Sequence, residues 1–293
     1  MATLICFGFG YSAEHFVAAY GEKFDRIIGT VRGGERGAVL NAYDTGRFHA
    51  LVFDGVRPTP ELNSAIAEAD HVLVSVPPGE TGDPVLMACG DALSGVKKLR
   101  EIVYLSTIGV YGDHGGQWVD EDTLPAPDSG RGSARLAAER DWQLLGERNG
   151  ARVAVLRLAG IYGPGQNALV QIARGKARRV VKPGQIFNRI HVADIAQAID
   201  AAFTRHASGI FNIADDEPSP PGDPIVFAAQ LLGVAPPPEI PFAAAPAMSP
   251  MALSFWRECR RVRNDKLKRE RELGVALRYP TYREGLSALF EEK

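Results

Sequence analysis

Leu4-Ile5-Cys6-Phe7-Gly8-Phe9-Gly10-Tyr11-Ser12-Ala13 is an apolar run that empties into a glycine turn and then into a helical stretch. A strand followed by such a turn can seat the diphosphate of a dinucleotide. Gly8 permits the sharp bend, Gly10 lets the backbone approach the phosphates, and Ala13 takes the place of a third glycine, where a small residue packs the helix close to the strand. Tyr11 and Ser12 stand at the mouth of that helix, where free N–H groups and the helix dipole face the anion.

Outward from this turn, strand and helix patterns alternate. Strands are expected at Leu4–Phe7, Arg26–Val31, Ala50–Phe53, His71–Val76, Glu101–Leu105 and Arg152–Leu158. Helices are expected at Ala13–Tyr20, Glu35–Gly46, Pro60–Glu68, Pro84–Leu93 and Ser133–Gly146. Continuous apolar strands such as His71–Val76 are covered on both faces, and regular βαβ alternation implies a doubly wound parallel sheet of Rossmann type. After Gly165 the rhythm changes. A helix at Ala168–Gly175, an extended piece at Arg178–Val181, a helix Ile195–Phe203 capped by Asp194 and a strand Gly209–Ile213 are expected. Ten of the twenty prolines fall between Pro218 and Pro250, a density that predicts an irregular, extended connection. A terminal helical unit is expected at Asn264–Gly274 and Tyr282–Glu291.

The expected organisation is therefore α/β. Residues 1–165, with a return segment at 189–215, form the nucleotide-binding domain, and 166–188 with 216–293 form a smaller α+β substrate-binding part. A hydrophobic share of 45%, a charged share of 23% and a net charge of −2 suit a globular chain with no field to recruit nucleic acid or an anionic membrane. The arginine-rich piece Arg257–Arg271 is interleaved with acids and reads as a solvated helix face. Cys6, Cys89 and Cys259 have no metal-ligand spacing, so no metal site or disulfide framework is expected. With no signal-like or membrane-length apolar run, the chain reads as cytoplasmic.

The second strand ends Gly29-Thr30-Val31-Arg32, the place where an NAD-specific site carries an acid for the adenosine ribose. Here it carries Arg32, followed by Arg36. A guanidinium fits a 2′-phosphate, so NADP(H) is preferred, with NAD(H) as the alternative. Asp54 ends the third strand and suits either the adenine amino group or a turn. Pro77 follows the fourth strand at the sheet's carboxyl edge, where ligands of open α/β sheets lie.

The segment Leu105-Ser106-Thr107-Ile108-Gly109-Val110-Tyr111-Gly112 adds a family signal. With the Gly8 turn, it is joined by Leu156-Arg157 leading to Ile161-Tyr162-Gly163-Pro164-Gly165, Arg189-Ile190-His191-Val192-Ala193-Asp194-Ile195-Ala196, Phe211-Asn212-Ile213-Ala214-Asp215-Asp216 and Tyr279-Pro280-Thr281-Tyr282-Arg283-Glu284-Gly285-Leu286. This ordered set resembles the extended and atypical branches of the short-chain dehydrogenase/reductase superfamily, the NAD-dependent epimerase/dehydratase group.

The resemblance implies hydride chemistry at a nicotinamide and a small-molecule substrate with a hydroxyl/carbonyl pair, such as a nucleotide sugar. It also implies a Ser or Thr that orients the substrate oxygen, and a helix-paired homodimer is compatible with it. Thr107 takes the hydroxyl role. The family's Tyr-x-x-x-Lys, however, falls on Arg131 and Arg135. A guanidinium stays protonated, so Arg131 cannot shuttle a proton, whereas Arg135 can still bind a ribose or orient a carbonyl. Tyr111, His114, Tyr162 and His191 are the candidate substitutes for the missing acid. Two readings follow: an NADP(H)-dependent enzyme with another proton source, or a non-catalytic NADP(H)-binding sensor or partner-binding protein.

Overall fold

The computed structural model describes residues 2–42, 46–246 and 248–292. In chain order, the first half consists of β1 (Thr3–Phe7), α1 (Tyr11–Tyr20), β2 (Arg26–Val31), α2 (Gly34–Ala42), β3 (Phe48–Val52), α3 (Pro60–Ala67), β4 (His71–Val74), α4 (Pro84–Ser94), β5 (Glu101–Thr107), β6 (Trp118–Val119), α5 (Gly130–Asn149) and β7 (Arg152–Leu158). The second half adds β8 (Gly160–Tyr162), α6 (Ala168–Ala173), β9 (Arg179–Val181), β10 (Arg189–His191), α7 (Val192–Thr204), β11 (Gly209–Ile213), α8 (Asp223–Leu231), β12 (Glu239–Pro241), α9 (Pro250–Arg257), β13 (Arg261–Val262), α10 (Asp265–Lys268) and α11 (Tyr282–Glu291).

Seven strands form one parallel sheet in the order β3-β2-β1-β4-β5-β7-β11. Strand order reverses between β1 and β4, so the loops after these two strands part and leave a crevice at the carboxyl edge. The strands are apolar along their length because both faces are covered: Ile5, Phe7, Val72 and Val74 pack in one core with Leu62, Ile66 and Trp142, while Leu4, Cys6 and Leu73 pack in the other with Phe16, Ile199 and Phe203. This is the doubly wound α/β fold expected. A third cluster, around Leu169, Ala228, Tyr282 and Leu286, joins α6, α8 and α11. No helix among the described residues is long and apolar enough to cross a membrane.

Several local expectations need correction. The proline-rich stretch contains a regular helix, α8, because Pro224 lies in its first turn, where the missing N–H removes no helical bond. It also contains β12, paired with β9. Residues Asn264–Gly274 are helical only over α10. Arg257–Arg271 is not one helix face: Arg260 is buried against Glu258 at 2.7 Å, and β13 pairs with β6. Asp194 does not cap α7. It is fully buried in the first turn and accepts the backbone N–H groups of Arg278 (2.6 Å) and Tyr279 (3.1 Å), while His191 Nδ1 takes the cap by accepting from Ala193 N at 3.1 Å. The expected helix Glu35–Gly46 is seen as α2 over Gly34–Ala42; Tyr43, Asp44 and Thr45 lie outside the described residues.

Candidate functional site

Three adjoining cavities run along the carboxyl edge of the sheet. The largest, of about 850 Å³, lies beside the turn after β1 and the tips of β2 and β3; Gly8, Gly10, Arg32, Arg36, Asp54 and Pro77 line it. Gly10, Ser75 and Pro77 also line a second cavity of about 380 Å³, which reaches Tyr11, Ser12, Thr107, Arg131 and Arg135. A third, of about 390 Å³, shares Thr107, Leu158, Ile161 and Phe255 with the second.

The glycine turn is built for close approach. Gly8 has φ +87°, and a Cβ there would stand 2.8 Å from Ser75 Oγ and 2.9 Å from Val76 Cγ2. Its N–H donates to Thr30 Oγ1 at 2.8 Å, which ties the turn to the tip of β2. Gly10 is the N-cap of α1 and makes no side-chain cap; a Cβ there would meet no heavy atom within 4 Å. The N–H groups of Tyr11, Ser12 and Ala13 find no acceptor among the described residues. Open space, unpaired donors and the positive end of a helix dipole thus coincide at one cleft wall. Ala13 is fully buried against the sheet. Tyr11 spans the cleft, donating from its hydroxyl to Pro164 O at 2.9 Å, and burial pushes its pKa up to about 12. Gly163 allows this approach, since a Cβ there would lie 2.7 Å from the Tyr11 hydroxyl.

Of the two arginines after β2, Arg32 is paired with no group among the described residues. Arg36 forms an ion pair with Glu14 and donates to Phe9 O at 3.3 Å. Asp54 accepts the N–H groups of Val56 (2.8 Å) and Arg57 (3.2 Å), bonds that hold its carboxyl below the ordinary range. It is therefore a turn former that also lines the largest cavity.

At the second cavity, β5 delivers Thr107. Its Oγ1 accepts the Gly109 N–H at 3.1 Å, which leaves its own hydrogen to be donated. Arg135 donates through Nη1 to Leu105 O at 2.8 Å and to the Tyr104 hydroxyl at 3.3 Å, with its guanidinium over the Tyr104 ring. Arg131, one helical turn earlier on α5, is exposed and pairs with nothing among the described residues.

None of the four candidate substitutes for the missing acid lines these cavities. Tyr111 is fully buried and donates to Asn212 Oδ1 at 2.8 Å. Tyr162 donates to Thr281 O at 3.3 Å, and burial raises the pKa of both tyrosines. His191 is consumed as the α7 cap, with its pKa pushed down to about 4 by burial. His114 is half-buried in its glycine-rich loop, with Nε2 3.1 Å from Tyr111 O. The acids between β5 and α5 are likewise structural: Asp113 accepts from Cys259 N at 2.7 Å, and Glu121 accepts from Asn212 N at 2.8 Å.

Sequence reasoning missed the walls contributed by Ile186, Phe187, Phe255 and Glu258. Phe255 and Glu258 had a faint signal, in the apolar spacing of Leu253 and Trp256 after the helix-starting Ser249-Pro250 pair.

Residues 80–214 match the profile of the NAD dependent epimerase/dehydratase family. A curated relative, the 3-diazoavenalumate denitrifying reductase of a Streptomyces species, is 27% identical over 197 residues, covering 64% of each chain. The chain thus spans just under two thirds of that relative's length. A solved structure of a functionally unknown conserved protein from Silicibacter pomeroyi DSS is 43% identical, with a TM-score of 0.87 over 100% of this chain and 99% of the other. The dTDP-glucose 4,6-dehydratase of Bacillus anthracis, solved in complex with NAD, shares the fold at 17% identity, with a TM-score of 0.77 over 99% and 96% of the two chains.

Proposed function

We propose that this chain, whose residues 80–214 match the NAD dependent epimerase/dehydratase family, is an NAD(P)-binding oxidoreductase or epimerase-like enzyme, with NADP(H) preferred, acting on a hydroxyl/carbonyl pair of a small molecule. The observation that carries the reading is the Gly8–Gly10 turn, whose adjoining Tyr11, Ser12 and Ala13 N–H groups have no acceptor among the described residues. Gly8, Gly10, Tyr11, Ser12 and Ala13 would hold the diphosphate, with Pro77 across from them and Asp54 at the adenine end. Arg32 would take a 2′-phosphate: its guanidinium is uncommitted, and Arg36 can add a second once it leaves Glu14. Arg135 would meet the nicotinamide ribose. On this reading residues 1–165 and 189–215 bind the nucleotide, while 166–188 and 216–293 cover the substrate.

The nicotinamide, when bound, supplies or accepts a hydride. The protein's own part is to hold the substrate oxygen. Thr107 donates a hydrogen bond to it, and the permanent charges of Arg131 and Arg135 favour the negative charge that develops there. Neither arginine can deliver a proton, so the proton comes from solvent through the open side of the cleft. The name of the Streptomyces relative, a reductase, supports reduction as one direction of such chemistry; a nucleotide sugar is the substrate class brought by the dehydratase likeness.

A second reading is a non-catalytic NADP(H)-binding sensor or partner-binding protein, and Arg131 at the position of the proton donor favours it. Isothermal titration with NADPH and NADH, followed by a carbonyl-substrate screen of wild type and Thr107→Ala, separates the two. Binding with turnover that falls at least tenfold in the variant supports the enzyme. Binding without turnover, together with a cofactor-dependent change in sedimentation, supports the sensor. No binding of either nucleotide overturns both.

A further inference from the structure

The charged groups on the walls of the two inner cavities do not balance. Arg131, Arg135, Glu258 and Arg260 are their charged side chains. Glu258 and Arg260 neutralise each other at 2.7 Å, both buried, and Arg260 also donates to Gly112 O. Two positive charges remain, and they are neighbours, one helical turn apart on α5. Arg135 is held in place by Leu105 O and Tyr104 through Nη1 alone, so Nε and Nη2 keep their donors. Arg131 keeps all of its donors. Two guanidiniums side by side, one fixed and one free to close, form a receptor for a planar anion that accepts paired hydrogen bonds.

The third cavity has the opposite character. Ile108, Ile161, Ile186, Phe187 and Phe255 face it, and its polar side chains are mostly engaged within the protein. Asn188 donates to Arg260 O and accepts from Val262 N, both at 2.9 Å. Arg260 Nε, buried and without an acceptor among the described residues, and the Thr107 hydroxyl at the cavity's edge are the donors left over. A nucleoside or a sugar brings many hydroxyl and carbonyl groups, each costly to bury without a partner. An aromatic or aliphatic body brings none.

We infer that the substrate is a small carboxylate with an apolar body: its carboxylate is gripped by Arg131 and Arg135, and its ring or chain fills the cavity between Ile186 and Phe255. It rests on the proposed function for the reaction and departs from it in the substrate, a small carboxylate in place of a nucleotide sugar. It gives Arg131 substrate recognition as its task and adds the same task to Arg135, through the guanidinium donors that the nicotinamide ribose does not take.

The test uses the full chain and three probes in calorimetry: 3-phenylpropanoate, its uncharged amide 3-phenylpropanamide, and UDP-glucose, each with and without NADPH. The acid should bind at least tenfold more tightly than the amide and more tightly than UDP-glucose. Arg131→Gln, at an exposed site that leaves folding intact, should erase the acid's advantage. Ile186→Asn should weaken acid and amide alike, by about tenfold. No binding of the acid, equal binding of acid and amide, an unchanged advantage in Arg131→Gln, or tighter binding of UDP-glucose each overturns the inference. NADPH binding is read separately from the shift in melting temperature. Failure there, with Arg131-dependent binding of the acid intact, overturns the nucleotide reading and leaves the carboxylate site standing.

Discussion

Arg157 on β7 reaches Glu139 on α5 with Nη2 2.8 Å from Oε2 and Nε 3.1 Å from Oε1, both side chains almost fully shielded from water. The same carboxylate accepts from Ser106 Oγ at 2.5 Å, and the guanidinium lies 4.8 Å from the Tyr111 ring centroid. The pair thus ties the helix that carries Arg131 and Arg135 to the strand residue next to Thr107. Removing one partner leaves the other charged and unpaired in the interior. Arg157→Met should cost about 3–5 kcal/mol in urea unfolding, and the double replacement with Glu139→Leu should cost less than the two single losses added. Strict additivity would show that the pair is not coupled.

Gly8→Ala meets Ser75 and Val76 and places a side chain at positive φ. A loss of about 1–3 kcal/mol is expected, together with disappearance of any NADPH-induced rise in melting temperature. Differential scanning fluorimetry reads both; an intact NADPH shift in the variant would remove the turn from nucleotide binding.

Arg32→Glu replaces the uncommitted guanidinium with the acid that suits a ribose hydroxyl. Losing charge-assisted bonds worth about 1.5–3 kcal/mol, NADPH should bind at least tenfold more weakly, while NADH holds or gains. Calorimetric affinities for both nucleotides check this, and an unchanged ratio excludes Arg32 as the phosphate contact.

His191 links stability to pH. Burial lowers its pKa from 6.5 to about 4, so the folded state binds fewer protons than the unfolded state in between. Its contribution is therefore complete above pH 6.5 and is lost as pH falls towards 4, where protonation also removes the Nδ1 lone pair that caps α7. The loss should reach about 2–3 kcal/mol. His191→Asn keeps a capping acceptor without the titration. Urea unfolding at pH 7 and pH 4.5 should show a smaller drop for the variant than for wild type.

The alternation of strands and helices up to Leu158 is a local property. Apolar runs covered on both faces, glycine after β1 and proline at helix starts act within a few residues, so the parallel sheet was legible without coordinates. The same holds for β11 and α11, whose patterns stand clear of the proline-rich stretch. That stretch itself was misread, because a proline in the first turn of α8 or α9 costs no hydrogen bond and so does not break a helix.

What the chain alone determined is which residue types stand at the strand ends: glycines after β1, arginine after β2, threonine at the end of β5, and two arginines where a tyrosine and a lysine are usual. Only the tertiary structure decided which of these share a space. It buried Tyr111 and Tyr162, spent His191 as a cap, and tied Asp113 and Glu121 to backbone N–H groups. It also brought Ile186, Phe255 and Glu258 across from far along the chain to wall the cleft beside Thr107. Spacing along a sequence carries no record of such meetings, because burial and hydrogen-bond partners arise from packing between segments that are remote in the chain.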